Sequence, residues 1–246
     1  MKEKLAILAD RIADARRLTI LTGAGISAAS GVPTFRGPDG LWRHYRAEEL
    51  ATPEAFARDP DLVWEWYAWR RQMVGGCRPN PAHDVIARWS QRKGCAVITQ
   101  NVDDLHIVAA TRGLIRMHGS IWELTCWARC PDGLTAWRDE RVPLPEVPPR
   151  CPHCGRLARP NVVWFGESLR STDIDSAHEA TDCDIFLTVG TSAIVYPAAG
   201  LVHEARRRGA FTAEINLEET TASSTVDVAI HGGAEAILPE IDALLI

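Results

Sequence analysis

Four of the seven cysteines fall in two close pairs, a spacing that suits a bound metal ion. They are Cys126 and Cys130, in a C-x₃-C pattern, and Cys151 and Cys154, in a C-x₂-C pattern. Four thiolates wrap a tetrahedral Zn²⁺ and leave no open position for a substrate. We therefore predict one structural Zn²⁺ that holds the surrounding chain together and does no chemistry. A redox role for Cys151 and Cys154 is the weaker alternative, because a second pair is present.

A glycine-rich stretch, GAGISAASG, follows the short apolar run from Leu18 to Thr22. Gly23, Gly25 and Ala28 fit the G-x-G-x-x-G/A form of a dinucleotide-binding turn, in which backbone amides meet a pyrophosphate. Any tight turn from a strand to a helix can use glycine, so this pattern alone leaves both interpretations open. The acidic ribose ligand that usually follows about 20 residues later is missing, which argues against a conventional hydride-transfer dehydrogenase.

A third candidate for chemistry is His118, in the segment RMHGS. Imidazole has an ordinary pKa of about 6.5, so it is the natural general base at neutral pH. A lone histidine is more often structural than catalytic, and the residue type does not decide between the two roles.

Further apolar runs resemble the one before the glycine turn, and each follows a helix-like segment and ends in polar residues. They are CAVIT (Cys95–Thr99), IFLTV (Ile185–Val189) and FTAEI (residues 211–215). Such alternation predicts an α/β fold, a Rossmann-like parallel sheet with helices on both faces and ligands at the carboxyl ends of its strands. At the N-terminus, Leu5, Leu8 and Ile12 recur at helical intervals and predict an amphipathic surface helix.

Two regions interrupt this alternation. Residues 35–73 have the pattern of helices rich in aromatic side chains, and residues 121–159 are crowded with cysteine and proline. We predict that both are insertions that form a smaller helical and zinc-binding domain. The remaining segments, 1–34, 74–120 and 160–246, then form the Rossmann-like domain.

The composition argues against several classes of partner. The net charge of −5 is unfavourable for nucleic-acid binding, which needs clustered lysine and arginine. The longest apolar runs are far shorter than the roughly 20 residues that cross a bilayer, and no signal-peptide core follows the N-terminal segment. We expect a cytoplasmic protein with no nucleic-acid and no membrane partner.

A series of longer motifs runs through nearly the whole chain: GAGISAASGVPTFRG, TQNVDDLH (residues 99–106), His118-Gly119, PNVVWFGE (residues 160–167), GTS and Ile215-Asn216. In this order they resemble the motifs of the sirtuin family. The resemblance implies an NAD⁺-dependent protein-lysine deacylase with a Rossmann-like NAD-binding domain. In the family mechanism the acyl oxygen of the substrate lysine attacks the ribose as nicotinamide leaves, and the products are free lysine, nicotinamide and O-acyl-ADP-ribose.

The same resemblance assigns roles to residues. His118 and Asn101 are the predicted catalytic residues, with His118 drawing a proton through the ribose hydroxyls and Asn101 orienting the ribose. Asp103 is predicted to accept a hydrogen bond from the nicotinamide amide, although Asp103 and Asp104 could instead cap the next helix. With Asn101, the predicted NAD contacts are Gly23, Ala24, Gly25, Phe35, Arg36, Gln100, Val102, Asp103, Gly190, Thr191, Ser192, Asn216 and Ala234.

The predicted partner is an acylated lysine in a protein or peptide, bound by a monomer. Val163, Trp164 and Phe165, with Val195 and Tyr196, resemble the two segments between which the family adds the peptide as a strand. One alternative is an NAD-dependent mono-ADP-ribosyltransferase, which would leave ADP-ribose on the protein. A zinc-stabilised NAD sensor without turnover is a further alternative.

Tyr67 and Arg70 lie three residues apart in VWEWYAWRRQM, so they share a face of a helix. In an unrelated protein this would be a packed aromatic helix with a surface arginine. Here Y-x-x-R, preceded by Ala51, resembles the acyl pocket of class III sirtuins, which remove succinyl, malonyl and glutaryl groups. Guanidinium matches a carboxylate at two points, and a small Ala51 leaves room. The alternative is an enzyme that acts mainly as a deacetylase.

Overall fold

Strands and helices alternate in the computed structural model, which describes residues 1–33, 41–42 and 44–245. The strands are β1 (Leu18–Thr22), β2 (Leu41–Trp42), β3 (Tyr45–Arg46), β4 (Cys95–Thr99), β5 (Leu114–Arg116), β6 (Gly119–Cys126), β7 (Trp137–Arg138), β8 (Ala158–Val162), β9 (Ile185–Val189), β10 (Phe211–Asn216) and β11 (Val228–His231). The helices are α1 (Lys2–Asp14), α2 (Gly25–Ala28), α3 (Ala47–Leu50), α4 (Pro53–Arg58), α5 (Pro60–Gly75), α6 (Pro81–Trp89), α7 (Leu105–Val108), α8 (Ser171–Glu179), α9 (Ala198–Arg207) and α10 (Ala234–Ala243).

Within the described residues, six parallel strands form the main sheet in the order β11-β10-β9-β1-β4-β5. Thr22 at the end of β1 pairs with Thr99 on one side and with Val189 on the other. The turns that follow β1, β4 and β9 therefore meet at one edge of the sheet. The four strands predicted from apolar runs are confirmed, whereas the edge strand β11 was not predicted from its short sequence VAIH.

Helices cover both faces of this sheet, so the predicted α/β fold class is confirmed. Leu8 of α1, Ile86 of α6 and Leu238 of α10 share one buried cluster with the strands. Phe186 of β9 and Leu201 of α9 belong to the cluster on the opposite face. The predicted N-terminal helix is α1, whose buried residues include Leu5, Leu8 and Ile12.

Local sequence explains where the aromatic helix α5 begins. The Asp59 carboxylate accepts a hydrogen bond from the Leu62 amide at 3.0 Å, and Pro60 occupies the first turn. An acidic N-cap followed by proline is a strong helix start, because the cap satisfies an amide that lacks a helical partner. Thr52 and Pro53 begin α4 in the same way. The two caps therefore set where α4 and α5 begin.

The cysteine- and proline-rich region contains more regular structure than its sequence pattern predicts. Strand β6 pairs in antiparallel fashion with β7 and with β8. A third buried cluster joins these strands to α4 and α5, and in it the Trp64 indole donates to the Ala158 carbonyl at 2.8 Å. The exact division of the chain into two domains stays a prediction. In the described part of the chain, no helix combines the length and the apolar character needed to span a bilayer.

Candidate active site

A cavity of about 1340 Å³ lies where β1, β4 and β9 end and extends to α5 and to the segment after β8. The catalytic candidate His118 is on its wall. Most predicted NAD contacts border the cavity, namely Gly23, Ala24, Gly25, Gln100, Asn101, Val102, Gly190, Thr191, Ser192 and Asn216. The predicted substrate contacts border it too, namely Ala51, Tyr67, Arg70, Val163, Trp164, Phe165, Val195 and Tyr196.

The glycines at the floor of the cavity allow two turns to touch. Gly25 donates its amide to the Gly190 carbonyl at 2.8 Å. A Cβ on Gly25 would lie 2.8 Å from that oxygen, and one on Gly190, which has a φ of +60°, would lie 2.4 Å from the Ile26 nitrogen. Only residues without side chains fit here. The glycine motif is therefore explained by strand-end packing as well as by room for a cofactor.

Polar side chains from the end of β4 bridge these turns. The Gln100 amide donates to the Thr191 hydroxyl at 2.9 Å, and the Asn101 amide donates to the Gly23 carbonyl at 3.1 Å. Asn216, after β10, donates to the Thr191 carbonyl at 3.1 Å. This network fixes the orientation of Gln100, Asn101 and Asn216.

His118 has a defined tautomer. Its Nδ1 lies 2.8 Å from the Gln100 carbonyl oxygen, and because a carbonyl can only accept, Nδ1 carries the proton. The lone pair is then on Nε2. Burial lowers the pKa of His118 from its ordinary 6.5, against a smaller opposing effect of the Gln100 carbonyl. The residue is thus a neutral base at physiological pH.

Asp103 is buried and does not border the cavity. Its carboxylate accepts hydrogen bonds from the Ser27 hydroxyl at 2.8 Å and from the Leu105 amide at 2.9 Å, and burial raises its pKa. The helix-cap alternative holds in part for Asp103, whose Oδ1 binds the start of α7. It is wrong for Asp104, whose side chain caps nothing and instead pairs with Arg138 at 2.8 Å. A nicotinamide contact of Asp103 stays a prediction.

Other predicted contacts are not on the cavity wall. Ala234 is the first residue of α10 and packs in the hydrophobic core below the sheet, so its approach to adenine stays a prediction. Phe35 and Arg36 lie outside the described residues.

Two buried polar residues that the sequence did not single out, Asn80 and His83, support the glycine-rich segment that borders the cavity. The backbone N–H of Asn80 donates to Nδ1 of His83 at 3.3 Å, so the His83 proton is on Nε2, 3.4 Å from the Ser27 hydroxyl. Burial lowers the pKa of His83 to about 4 and keeps it neutral. Ser27 lies within the quoted glycine motif, but nothing in the spacing of His83 pointed to the site. Glu48, Trp66 and Glu167 also border the cavity.

Tyr67 and Arg70 both project from α5 into the cavity wall, and each is buried. The Trp164 indole donates to the Tyr67 hydroxyl oxygen at 2.9 Å. Burial raises the pKa of Tyr67 to about 12, so its hydroxyl stays protonated. Burial lowers the pKa of Arg70, but an arginine has so high an ordinary pKa that it remains a cation. This end of the cavity offers a charge and a hydroxyl donor.

The four paired cysteines converge as predicted. Their Sγ atoms all lie within 4.8 Å of one another, with 3.5 Å between Cys126 and Cys154 and 3.7 Å between Cys130 and Cys151. Zn–S bonds of about 2.3 Å in a tetrahedron place sulfurs about 3.8 Å apart. A Cβ on Gly133 would lie 2.7 Å from the Cys130 sulfur, so glycine leaves room for the cluster. The residues fit a structural Zn²⁺.

Comparison with known proteins agrees with this geometry. The Sir2 family profile matches residues 23–197. The NAD-dependent protein deacylase 2 of Pyrobaculum aerophilum is 49% identical over 237 residues, which cover 95% of this chain and 93% of that protein. This chain belongs to the Sir2 family.

Solved structures of Sir2 proteins have the same fold. A Sir2 homolog in complex with NAD matches with a TM-score of 0.91 at 43% identity, over 97% of this chain and 93% of the other. Sir2Af2 bound to a myristoylated histone peptide matches with a TM-score of 0.80 at 32% identity, over 100% and 97% of the two chains. One Sir2 fold therefore accommodates both a dinucleotide and an acylated peptide.

Replacement of Cys151 by serine tests the zinc assignment. We expect Cys151→Ser to lower the zinc content from about one ion per chain to near zero, with a clear drop in melting temperature, because three thiolates hold Zn²⁺ far less well than four. The control is Cys77→Ser, a half-buried thiol outside the cluster. Metal analysis and thermal melting measure both effects, and a Cys151→Ser protein with full zinc would contradict the assignment.

Proposed function

We propose that this chain is an NAD⁺-dependent protein-lysine deacylase that removes succinyl, malonyl and glutaryl groups in preference to acetyl. The observation that carries the proposal is a single cavity bordered by the three strand-end turns, by His118 and by the buried pair Tyr67 and Arg70. The NAD⁺-dependent deacylase activity, apart from the acyl preference, also rests on relatives that are named deacylases and on a relative solved with NAD.

The chain supplies a base next to the place where the ribose would lie. When bound, NAD⁺ would supply the electrophilic ribose carbon that accepts the acyl group. Nε2 of His118 would accept the proton of a ribose hydroxyl, and the positive charge gained would strengthen the hydrogen bond from Nδ1 to the Gln100 carbonyl. Asn101, held by Gly23, orients the ribose.

The peptide would lie between residues 163–165 and residues 195–196. The Val163 amide donates to the His118 carbonyl at 3.0 Å, and the Phe165 amide donates to the Ala51 carbonyl at 2.9 Å. The first contact ties the peptide-binding segment to the catalytic base, and the second ties it to the acyl pocket. Phe165 and Tyr196 are 43% and 73% exposed, so apolar surface is available for a peptide at the cavity rim.

The acyl end of the substrate would meet Tyr67 and Arg70. Arg70 is only 7% exposed, and a buried guanidinium interacts strongly with a carboxylate because little water screens the pair. The neutral Tyr67 hydroxyl adds a second donor. An acetyl group carries no carboxylate and gains nothing from either group, which gives the preference its physical basis.

The pH dependence of kcat/KM tests the role of His118. Only the neutral imidazole is a base, and the pKa of His118 is lowered, so activity should stay level down to about pH 6.5 and fall only below it. An acetyl-lysine peptide is the substrate of choice because its acyl group does not titrate. His178→Gln, at a surface histidine bonded to Glu204, is the control and should leave the profile unchanged. An acidic limb centred above pH 6.5 would contradict the assignment.

Replacement of Arg70 tests the acyl preference. We expect Arg70→Met to lower kcat/KM for a succinyl-lysine peptide about 100-fold, the size of one lost charge-assisted contact, and to change the acetyl-lysine value less than about 3-fold. Arg58→Met, at an exposed arginine of α4, is the matched control. Equal losses on both substrates would rule out the acyl pocket.

A further inference from the structure

The Trp164 indole N–H donates a hydrogen bond to the Tyr67 hydroxyl oxygen at 2.9 Å. Indole N–H is a donor only, so the tyrosine oxygen must accept. Accepting this bond leaves the tyrosine proton for a different acceptor and restricts the direction in which it points. Both side chains border the cavity, and Trp164 is only 1% exposed.

Trp164 is held at its backbone and at its ring. The Trp164 amide donates to the Glu167 carboxylate at 2.9 Å, and Arg159 donates to both oxygens of that carboxylate at 2.5 and 2.8 Å. The Arg159 guanidinium carbon lies 3.5 Å from the centre of the Trp164 ring, and Phe56 packs against that ring at 5.3 Å. Cation–π and two-pronged ionic contacts of this kind fix an aromatic ring. The indole N–H therefore has a defined direction.

We propose that Trp164 is a specificity-determining positioning residue, whose indole N–H turns the Tyr67 hydroxyl proton toward the carboxylate of an acidic acyl group. The inference rests on the proposed function and adds to it. Trp164 acts through Tyr67, so its loss should lower the preference for acidic acyl groups over acetyl, beyond any effect on the peptide that both substrates share. A merely structural tryptophan would affect both substrates alike.

The test uses Trp164→Phe, which keeps an aromatic ring beneath Arg159 and removes the N–H. We expect the ratio of kcat/KM for a succinyl-lysine peptide to that for the acetyl-lysine form of the same peptide to fall about tenfold, because contacts of residues 163–165 with the shared peptide cancel in this ratio. Trp127→Phe is the matched control, because Trp127 also packs against Phe56 and Arg159. It should affect the two substrates equally.

A double-variant cycle with Tyr67→Phe decides whether Trp164 acts through Tyr67. In the Tyr67→Phe background, adding Trp164→Phe should cause no further loss that is specific to succinyl-lysine. Independent losses that multiply in the double variant, or equal losses on both substrates in the single one, would overturn the proposal. If Tyr67→Phe itself leaves the succinyl preference unchanged, the proposed acyl specificity fails together with the role of Trp164.

Glu167→Gln provides a second route if Trp164→Phe does not fold. This substitution keeps the indole but removes the charge that holds Arg159 over it. We expect a larger loss on succinyl-lysine than on acetyl-lysine, and equal losses would again overturn the proposal. Melting curves of all variants establish that each is folded.

Discussion

The backbone contact between the turn after β1 and the turn after β9 determines where the other groups of the site can lie. Gly25 and Gly190 touch so closely that neither tolerates a Cβ, and the parallel pairing of Thr22 with Thr99 adds the turn after β4. Gln100 and Asn101 then reach across to the neighbouring turns. Because Gln100 also accepts from His118, the tautomer of the base follows from the packing of three strand ends.

The antiparallel sheet of β6, β7 and β8 also helps to position the segment that follows β4. Asp104, one residue from the buried Asp103, pairs with Arg138 of β7, and the Trp122 indole of β6 donates to the Asp103 carbonyl at 3.0 Å. The cysteine cluster lies in the same region of the chain as these strands. A structural Zn²⁺ held by these cysteines would stabilise the sheet that contacts Asp103 and Asp104, and so would contribute to the geometry of the site without taking part in the reaction.

Strongly local features could be predicted from the sequence, and features set by distant partners could not. The strands Cys95–Thr99 and Ile185–Val189 were predicted because buried parallel strands are continuous apolar runs. The edge strand β11 was missed because its four residues are too short a run to stand out. The sheet around β6 was missed because its region is crowded with cysteine and proline and has little periodicity. His83 contacts Ser27 across 56 positions, and no spacing rule predicts such a contact. Tyr67 and Arg70 came from resemblance, and their shared burial became visible only in the structure.

The most direct test of this account is the catalytic efficiency of the unaltered protein on one peptide that carries acetyl-, malonyl-, succinyl- or glutaryl-lysine, with the products identified by mass spectrometry. We predict that the acidic acyl groups exceed acetyl by about tenfold or more, as expected for a buried charge-assisted contact. The acyl group should leave as O-acyl-ADP-ribose with nicotinamide. An acetyl value equal to or above the acidic ones, or ADP-ribose attached to the peptide, would contradict the account.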